Sequence, residues 1–142
     1  MGLKSYRELD VWQKAVEMVI GAYRLGAKFP SDQKFGLTGQ LQRAAVSVPA
    51  NIAEGYGRSH RGDYLRHLSI TRGSLAEVET LLTIAVRLGF VAREETIVIW
   101  DLCQDIGKML NRLIQSLEEP AKRNTPNPRP GTRDPRPGTR YP

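Results

Sequence analysis

The sequence predicts an all-α protein, an antiparallel up-down four-helix bundle followed by a disordered tail rich in Pro, Arg and Gly. Over four long stretches, apolar residues recur at alternating intervals of three and four, which is the period of an α-helix. Gly and Pro separate these stretches, so the connections are short, and short connections favour antiparallel neighbours. Residues 1–120 therefore form the predicted bundle, and residues 121–142 the tail.

The first helix is predicted from Arg7 to Ala27. Val11 and Met18 lie on a separate face, where they could meet a second neighbour. Gly26 and Pro30 end the helix. The main apolar stripe is formed by Leu9, Trp12, Val16, Val19 and Tyr23.

The second helix is predicted from Lys34 to Tyr56. Pro49 falls inside it and has no N–H group, so a kink or a restart is expected there, with Ser47 as a local cap. Asn51 and Glu54 lie on one face, for which a cap and a solvated surface are the simplest interpretation. The apolar positions are Leu37, Leu41, Ala44 and Val48.

The third helix, predicted from Arg61 to Leu88, has the clearest seam and also a second apolar stripe. The second stripe predicts a further contact, either with another helix of the bundle or with another subunit. The seam contains Tyr64, Leu68, Thr71, Leu75, Val78, Leu82 and Ala85. The second stripe contains Ile70, Leu81, Ile84 and Leu88.

The fourth helix begins near Arg93, and Pro120 is expected to end the domain. Cys103 lies in its seam, which predicts a buried and inert thiol. The tail repeats one Pro-Arg-Pro-Gly-Thr-Arg motif at residues 128–133 and 135–140, a composition that cannot form a core. The seam contains Ile99, Cys103, Ile106, Leu110, Leu113 and Leu117.

The charge is concentrated in the tail. The net charge is +6, but residues 1–120 hold 15 Lys/Arg against 14 Asp/Glu, whereas residues 121–142 hold six against one. A basic segment fits a polyanionic partner such as nucleic acid. One cysteine, no signal peptide and no apolar run of membrane-spanning length predict a cytoplasmic protein.

The residues predict no catalytic, cofactor or metal site. A di-iron bundle needs Glu-x-x-His on two helices, but Gly57 precedes His60 and Tyr64 precedes His67 at that spacing. Two histidines and one cysteine are too few for a structural zinc site. No phosphate-binding Gly-Lys-Ser/Thr loop occurs. We therefore expect a binding protein and not an enzyme.

One stretch resembles a known family. From Gln40 to Gly55 the chain is similar to the signature of the four-helix-bundle proteins encoded in 23S rRNA intervening sequences. Residues 9–15, 37–40 and 72–80 also resemble segments of that family, so the likeness covers about residues 5–118. The departures are Gln33 and Thr71, and the tail resembles nothing in the family. The matching signature residues are Arg43, Ser47, Pro49, Asn51 and Glu54.

The resemblance carries two functional implications. The family is similar to the accessory variability protein (Avd) of diversity-generating retroelements, whose members form basic, ring-shaped homopentamers that bind nucleic acid and a reverse transcriptase. The resemblance thus implies a non-catalytic accessory protein that binds RNA or DNA through the phosphate backbone as a homopentamer. Members encoded in rRNA intervening sequences have no settled activity, so an oligomeric protein scaffold is the alternative. Arginines near the turn between the second and third helices are the candidate contacts: Arg58, Arg61 and Arg72 would form one row if the third helix continued from the turn, and Tyr56 beside them could stack on a base. The candidate nucleic-acid-binding residues are Arg43, Arg58, Arg61, Arg66 and Arg72.

Overall fold

A computed structural model describes residues 5–124, with side chains described through residue 118. This part of the chain contains four α-helices and two short 3-10 helices, at Tyr6–Glu8 and Ser31–Gln33, and it has no strand. The predicted all-α fold is confirmed. The α-helices are α1 (Asp10–Gly26), α2 (Leu37–Tyr56), α3 (Arg61–Arg87) and α4 (Arg93–Asn124).

The helices form a closed, antiparallel up-down bundle. Each helix packs against the next along the chain, and α4 returns to pack against α1. Two ion pairs show that α1 and α4 run in opposite directions. Lys14 Nζ lies 3.4 Å from Asp105 Oδ2, and Lys28 Nζ lies 2.8 Å from Glu95 Oε2, so rising numbers on one helix meet falling numbers on the other.

The predicted seams of α3 and α4 face the core. In α3 every seam residue from Leu68 to Ala85 is buried, and Thr71 keeps its hydroxyl satisfied by donating to the carbonyl of His67 over 2.9 Å. In α4 the seam is buried from Ile99 to Leu110. The β-branched run of residues 96–100 therefore belongs to a helix, because one buried face of a long helix outweighs local strand propensity.

The predicted main stripe of α1 is wrong by about a third of a turn. Tyr23 is 45% exposed, and Leu9, Trp12 and Val19 are only partly buried against the core. α1 contacts both α2 and α4, and Ala15 and Ala22 are fully buried, so small residues occupy the face of α1 that turns to the core. The buried face contains Val11, Ala15, Met18, Ala22 and Leu25.

Neither proline interrupts its helix. α2 continues through Pro49, which is buried, as are the nearby residues Val48 and Ile52. Burial of this part of α2 offsets the one hydrogen bond that the proline removes. α4 runs four residues beyond Pro120, so residues 121–124 of the predicted tail are helical. Residues 125–142 lie outside the described part of the chain.

Cys103 is buried, as its place in the seam predicts. Burial, with a smaller contribution from the charge of Glu79, raises the pKa of the Cys103 thiol to about 12. Because the thiolate is the reactive form, this thiol is inert at neutral pH. None of the described helices is both long and apolar enough to cross a lipid bilayer.

Candidate nucleic-acid interface

Two of the five predicted arginines lie where α2 turns into α3, Arg58 in the turn and Arg61 at the first position of α3. α2 ends at Tyr56, and α3 begins at Arg61 after an extended residue, His60. Arg58 lies in this turn and forms an exposed ion pair with Glu54, with 2.7 Å between the guanidinium Nη2 and the carboxylate Oε1. Arg61 is exposed and forms no ion pair with the described side chains. Arg58 therefore does not continue the arginine row of α3.

The other three arginines spread over the bundle. Arg61 and Arg72 lie about 20° apart around α3 and about 16 Å apart along it, and Arg66 lies about 140° from Arg61. Arg72 donates to Asn111 Oδ1 on α4 over 2.8 Å. Arg43 is exposed on α2, at the level of residue 77 or so of α3, because the contacts Ser47–Ser74 and Asn51–His67 set the register. The five arginines thus do not form one patch.

The end of α4 lies beside the α2–α3 turn. Two hydrogen bonds between α3 and α4 set the register of this antiparallel pair: Arg72 with Asn111, and Glu79 with Gln104. The residue numbers of each pair add to 183, so Arg61 lies level with residue 122, in the last turn of α4. The chain beyond α4 therefore starts at the same end of the bundle as Arg58 and Arg61.

Tyr56 is held by a neighbouring ring. Its ring packs edge-to-face on Tyr64, with 6.1 Å between the centroids. Burial raises the pKa of Tyr64 to about 12, with a smaller contribution from Tyr56. The Tyr64 hydroxyl is buried without a partner among the described residues. Tyr56, the aromatic predicted beside the arginines, thus serves mainly to pack α2 on α3.

The signature stretch of α2 forms a polar contact with α3. Asn51 Nδ2 donates to the Ser47 carbonyl over 2.9 Å and to Ser47 Oγ over 3.0 Å, so Asn51 Oδ1 accepts from His67 Nδ1 at 3.0 Å. Ser47 Oγ in turn lies 2.8 Å from Ser74 Oγ. Asn51 is therefore not a helix cap, and Ser47 does not cap a restarted helix. The predicted solvated position of Glu54 is confirmed by its exposed ion pair with Arg58.

Gly55 completes this contact by allowing α2 and α3 to approach. A Cβ atom at Gly55 would lie 2.8 Å from His67 Cβ and 3.0 Å from Tyr64 Cδ1. No real Cβ atom approaches another carbon that closely, so only glycine fits here without a shift of the helices. The four polar residues and this glycine belong to one packed seam.

A protein-family match covers most of the described part of the chain. Residues 7–112 match the family model described as 23S rRNA-intervening sequence protein. The chain belongs to this family. The matched range includes the α2–α3 polar contact and all five arginines, and it ends before the tail. No curated protein matches the chain closely enough to be counted as a relative.

A crystal structure of a protein of unknown function from the S23 ribosomal protein family of Bacteroides thetaiotaomicron VPI-5482 is similar to this family member. The TM-score is 0.68, and the two sequences are 28% identical. The match covers 73% of this chain and 97% of the other. The similarity therefore extends over nearly the whole of that protein.

The second apolar stripe of α3 is only partly used inside this family member. Leu81 is 4% exposed and packs in the core, whereas Leu88 is 59% exposed. Ile70 and Ile84 are also exposed on the outer flank of α3. Three of the four residues therefore remain available for a contact outside the chain.

A cleft that the sequence did not predict lies between the end of α3 and the start of α4. It has a volume of about 600 Å³. Trp100 is 39% exposed in it. One signal was present in the sequence, since Trp100 follows seam residue Ile99 and so lies about 100° off the core direction. Leu82, Val86 and Ile97 give the cleft an apolar lining, and its charged residues are Arg87, Arg93 and Asp101.

Within the described residues, no three His, Cys, Asp or Glu side chains are grouped so that they could hold a metal ion. Ser59 and His60 are exposed in the α2–α3 turn, and Asp63 is exposed in the first turn of α3. The candidate binding features of the described surface are its arginines, the α3 stripe and the α3–α4 cleft.

Proposed function

We propose that this family member is a non-catalytic protein that binds nucleic acid through the phosphate backbone at the α2–α3 end of the bundle. The observation that carries the proposal is the position of Arg61 level with residue 122. In this register, Arg58 and Arg61 lie at the same end of the bundle as the start of residues 121–142. That segment has six Lys/Arg and one Asp. Phosphate contacts position a nucleic acid without reading its sequence.

Oligomerisation would multiply this basic end. The exposed stripe of Ile70, Ile84 and Leu88 supports a contact with another copy, and a ring is the closed form of a head-to-tail contact. The resemblance to Avd gives the number five and adds a reverse transcriptase as a protein partner. Five basic ends in one ring would bind a long polyanion through multivalency, although each monomer carries few unpaired charges.

A protein scaffold without nucleic-acid binding is the second candidate. The stripe of α3 favours it, because apolar residues exposed on one flank are typical of protein contacts. The ion pair of Arg58 with Glu54 favours it as well, since it neutralises part of the charge of the turn. The two candidates differ in their salt dependence, because only phosphate contacts release condensed counterions.

The test measures the affinity for two unrelated single-stranded RNAs over a series of salt concentrations. Replacing Arg58 and Arg61 with Ser should weaken both RNAs equally and reduce the slope of log affinity against log salt by about 1.4, at about 0.7 per phosphate on a single strand. The matched control, Arg24→Ser with Lys108→Ser, removes the same charge from exposed positions away from the turn and should keep the slope. Equal slopes in the two variants would favour the scaffold.

Light scattering tests the oligomeric state. A mass five times that of the 15.9 kDa chain supports the ring. A dimer would exclude it, and a monomer at micromolar concentration would remove oligomerisation from the proposal. Replacing Ile84 and Leu88 with Ser should lower the mass, because these side chains would form the contact between copies. The fold should persist, since neither residue belongs to the buried core.

A further inference from the structure

The cleft between α3 and α4 contains an aromatic ring that has no ring partner among the described residues. Trp100 is 39% exposed, and it takes part in neither a ring pair nor a cation–π contact there. Its indole N–H donates to no acceptor among the described residues. In the described part of the chain, the other tryptophan, Trp12, packs edge-to-face on Tyr6 with 5.2 Å between the centroids. Trp100 is thus the indole with an open surface.

Two guanidinium groups stand at the same cleft. Arg87, in the last turn of α3, and Arg93, the first residue of α4, both line it and are exposed. Neither forms an ion pair with a side chain that the structure describes. Guanidinium groups bind phosphate through two parallel hydrogen bonds, so the cleft joins an anion-binding rim to an aromatic platform.

The dimensions favour a small ligand or one unit of a polymer. At about 600 Å³ the cleft falls within the usual range of small-molecule sites, about 300–1,000 Å³. Its α4 side, residues 93–101, is about 12 Å long at the helical rise. A single nucleotide has the required parts, a flat base, a ribose and a phosphate.

Asp101 helps to decide between two possible ligands of the cleft, a nucleotide and an acidic peptide. Asp101 lies in the cleft beside Trp100 in sequence and would repel any anion placed next to it, a phosphate as well as a carboxylate, so the phosphate of a nucleotide would have to lie at the arginines. A ribose hydroxyl or an exocyclic amine of a base, by contrast, can donate a hydrogen bond to it. The chemistry of the cleft therefore suits a nucleotide better than an acidic, apolar protein segment.

We propose that the α3–α4 cleft binds one unpaired nucleotide of a single-stranded nucleic acid, with the base stacked on Trp100 and the phosphate held by Arg87 and Arg93. This inference rests on the proposed function and adds a second contact to it. Combining aromatic stacking with a basic rim is the usual way to bind single strands without strong sequence preference. Duplexes are excluded, because their bases are already stacked and paired.

The two contacts lie at opposite ends of the bundle. From Trp100 to residue 122, level with Arg61, α4 extends about 33 Å. A strand stacked at about 3.4 Å per nucleotide needs about ten nucleotides to cover that distance. An oligonucleotide of 12 or more nucleotides can therefore reach both the cleft and the basic end, whereas a hexamer can reach only one of them. Once the strand is bound at one contact, binding at the other is intramolecular. The gain in affinity from 6 to 12 nucleotides should therefore exceed the gain expected from the added phosphates alone.

The experiment uses the full chain with Trp12→Phe, which leaves Trp100 as the sole tryptophan. A 12-nucleotide oligoadenylate should quench its fluorescence, and the same strand annealed to its complement should not. In the otherwise wild-type chain, Trp100→Leu should weaken binding of a dye-labelled single strand, measured by fluorescence anisotropy, about 5- to 160-fold, the range for loss of one stacking ring. The salt slope should stay unchanged, because no charge is removed. Trp100→Phe should restore most of the affinity.

The remaining outcomes separate the cleft from the basic end. If Trp100→Leu keeps the wild-type affinity while Arg58→Ser with Arg61→Ser lowers the slope, the cleft proposal fails and the proposed function stands. If the wild type binds no oligonucleotide at physiological salt, both fail. If a Glu- and Leu-rich peptide quenches Trp100 and oligoadenylate does not, the cleft is a peptide site and our proposal is wrong.

Discussion

Replacing Asn51 with Ala tests whether the signature stretch holds α2 against α3. The side chain makes three hydrogen bonds, two to Ser47 at 2.9 and 3.0 Å and one to His67 at 3.0 Å. Each contributes about 0.5–1.5 kcal/mol net, and His67, which is 6% exposed, loses its partner. Because Ala is a better helix former than Asn, it regains about half a kcal/mol. The expected loss in free energy of unfolding is about 2–4 kcal/mol.

The matched control is Asn111→Ala. This residue is exposed in α4 and makes one hydrogen bond, to Arg72, so its loss should cost about 0.5 kcal/mol or less. The gain in helix propensity is the same at both positions and cancels in the comparison. Urea unfolding followed by circular dichroism measures both free energies. A difference between the variants below about 1 kcal/mol would show that the polar contact does not hold the two helices together.

Three further predictions concern the core, the tail and the thiol. Leu75→Ala or Leu110→Ala should each cost about 2–5 kcal/mol in urea unfolding, whereas Leu88→Ala at an exposed position should cost little. Deleting residues 125–142 should change the melting temperature by less than about 4 °C, because the Pro- and Gly-rich repeats have little apolar surface to bury. A larger drop would mean that the tail docks on the bundle. The native Cys103 should resist thiol reagents at pH 8. Because its pKa rises from 9.0 to about 12 on folding, its contribution to stability is complete below pH 9 and is lost as the pH rises through 12. A Cys103→Ala variant should lack that loss in alkaline unfolding experiments.

The seams of α3 and α4 could be predicted from sequence because a single face of each helix is apolar. From Leu68 to Ala85, and from Ile99 to Leu110, the alternating three–four spacing marks the buried residues. Helix ends at Tyr56 and Arg61 were also correct, since Gly55 to Gly57 disfavour continuation. Local chemistry was sufficient at these positions.

The orientation of α1 depended on its neighbours. Its large apolar residues suggested one stripe, but the alanines at 15 and 22 face the core, where small side chains allow close packing. The two prolines were misjudged for a related reason. Propensity gives the cost of a proline inside a helix but not the packing that compensates for it.

The candidate site shows where sequence and structure contribute separately. The sequence by itself determined the helical fold, the seams and the supply of arginines, because periodicity and charge are properties of the chain. Only the tertiary structure decided that Arg72 donates a hydrogen bond to Asn111, that Arg58 lies in a turn, and that residue 122 of α4 lies level with Arg61. It also opened the cleft at Trp100. These contacts connect residues that are far apart in the chain. They depend on the register in which two helices pack against each other, and no local sequence pattern contains that register.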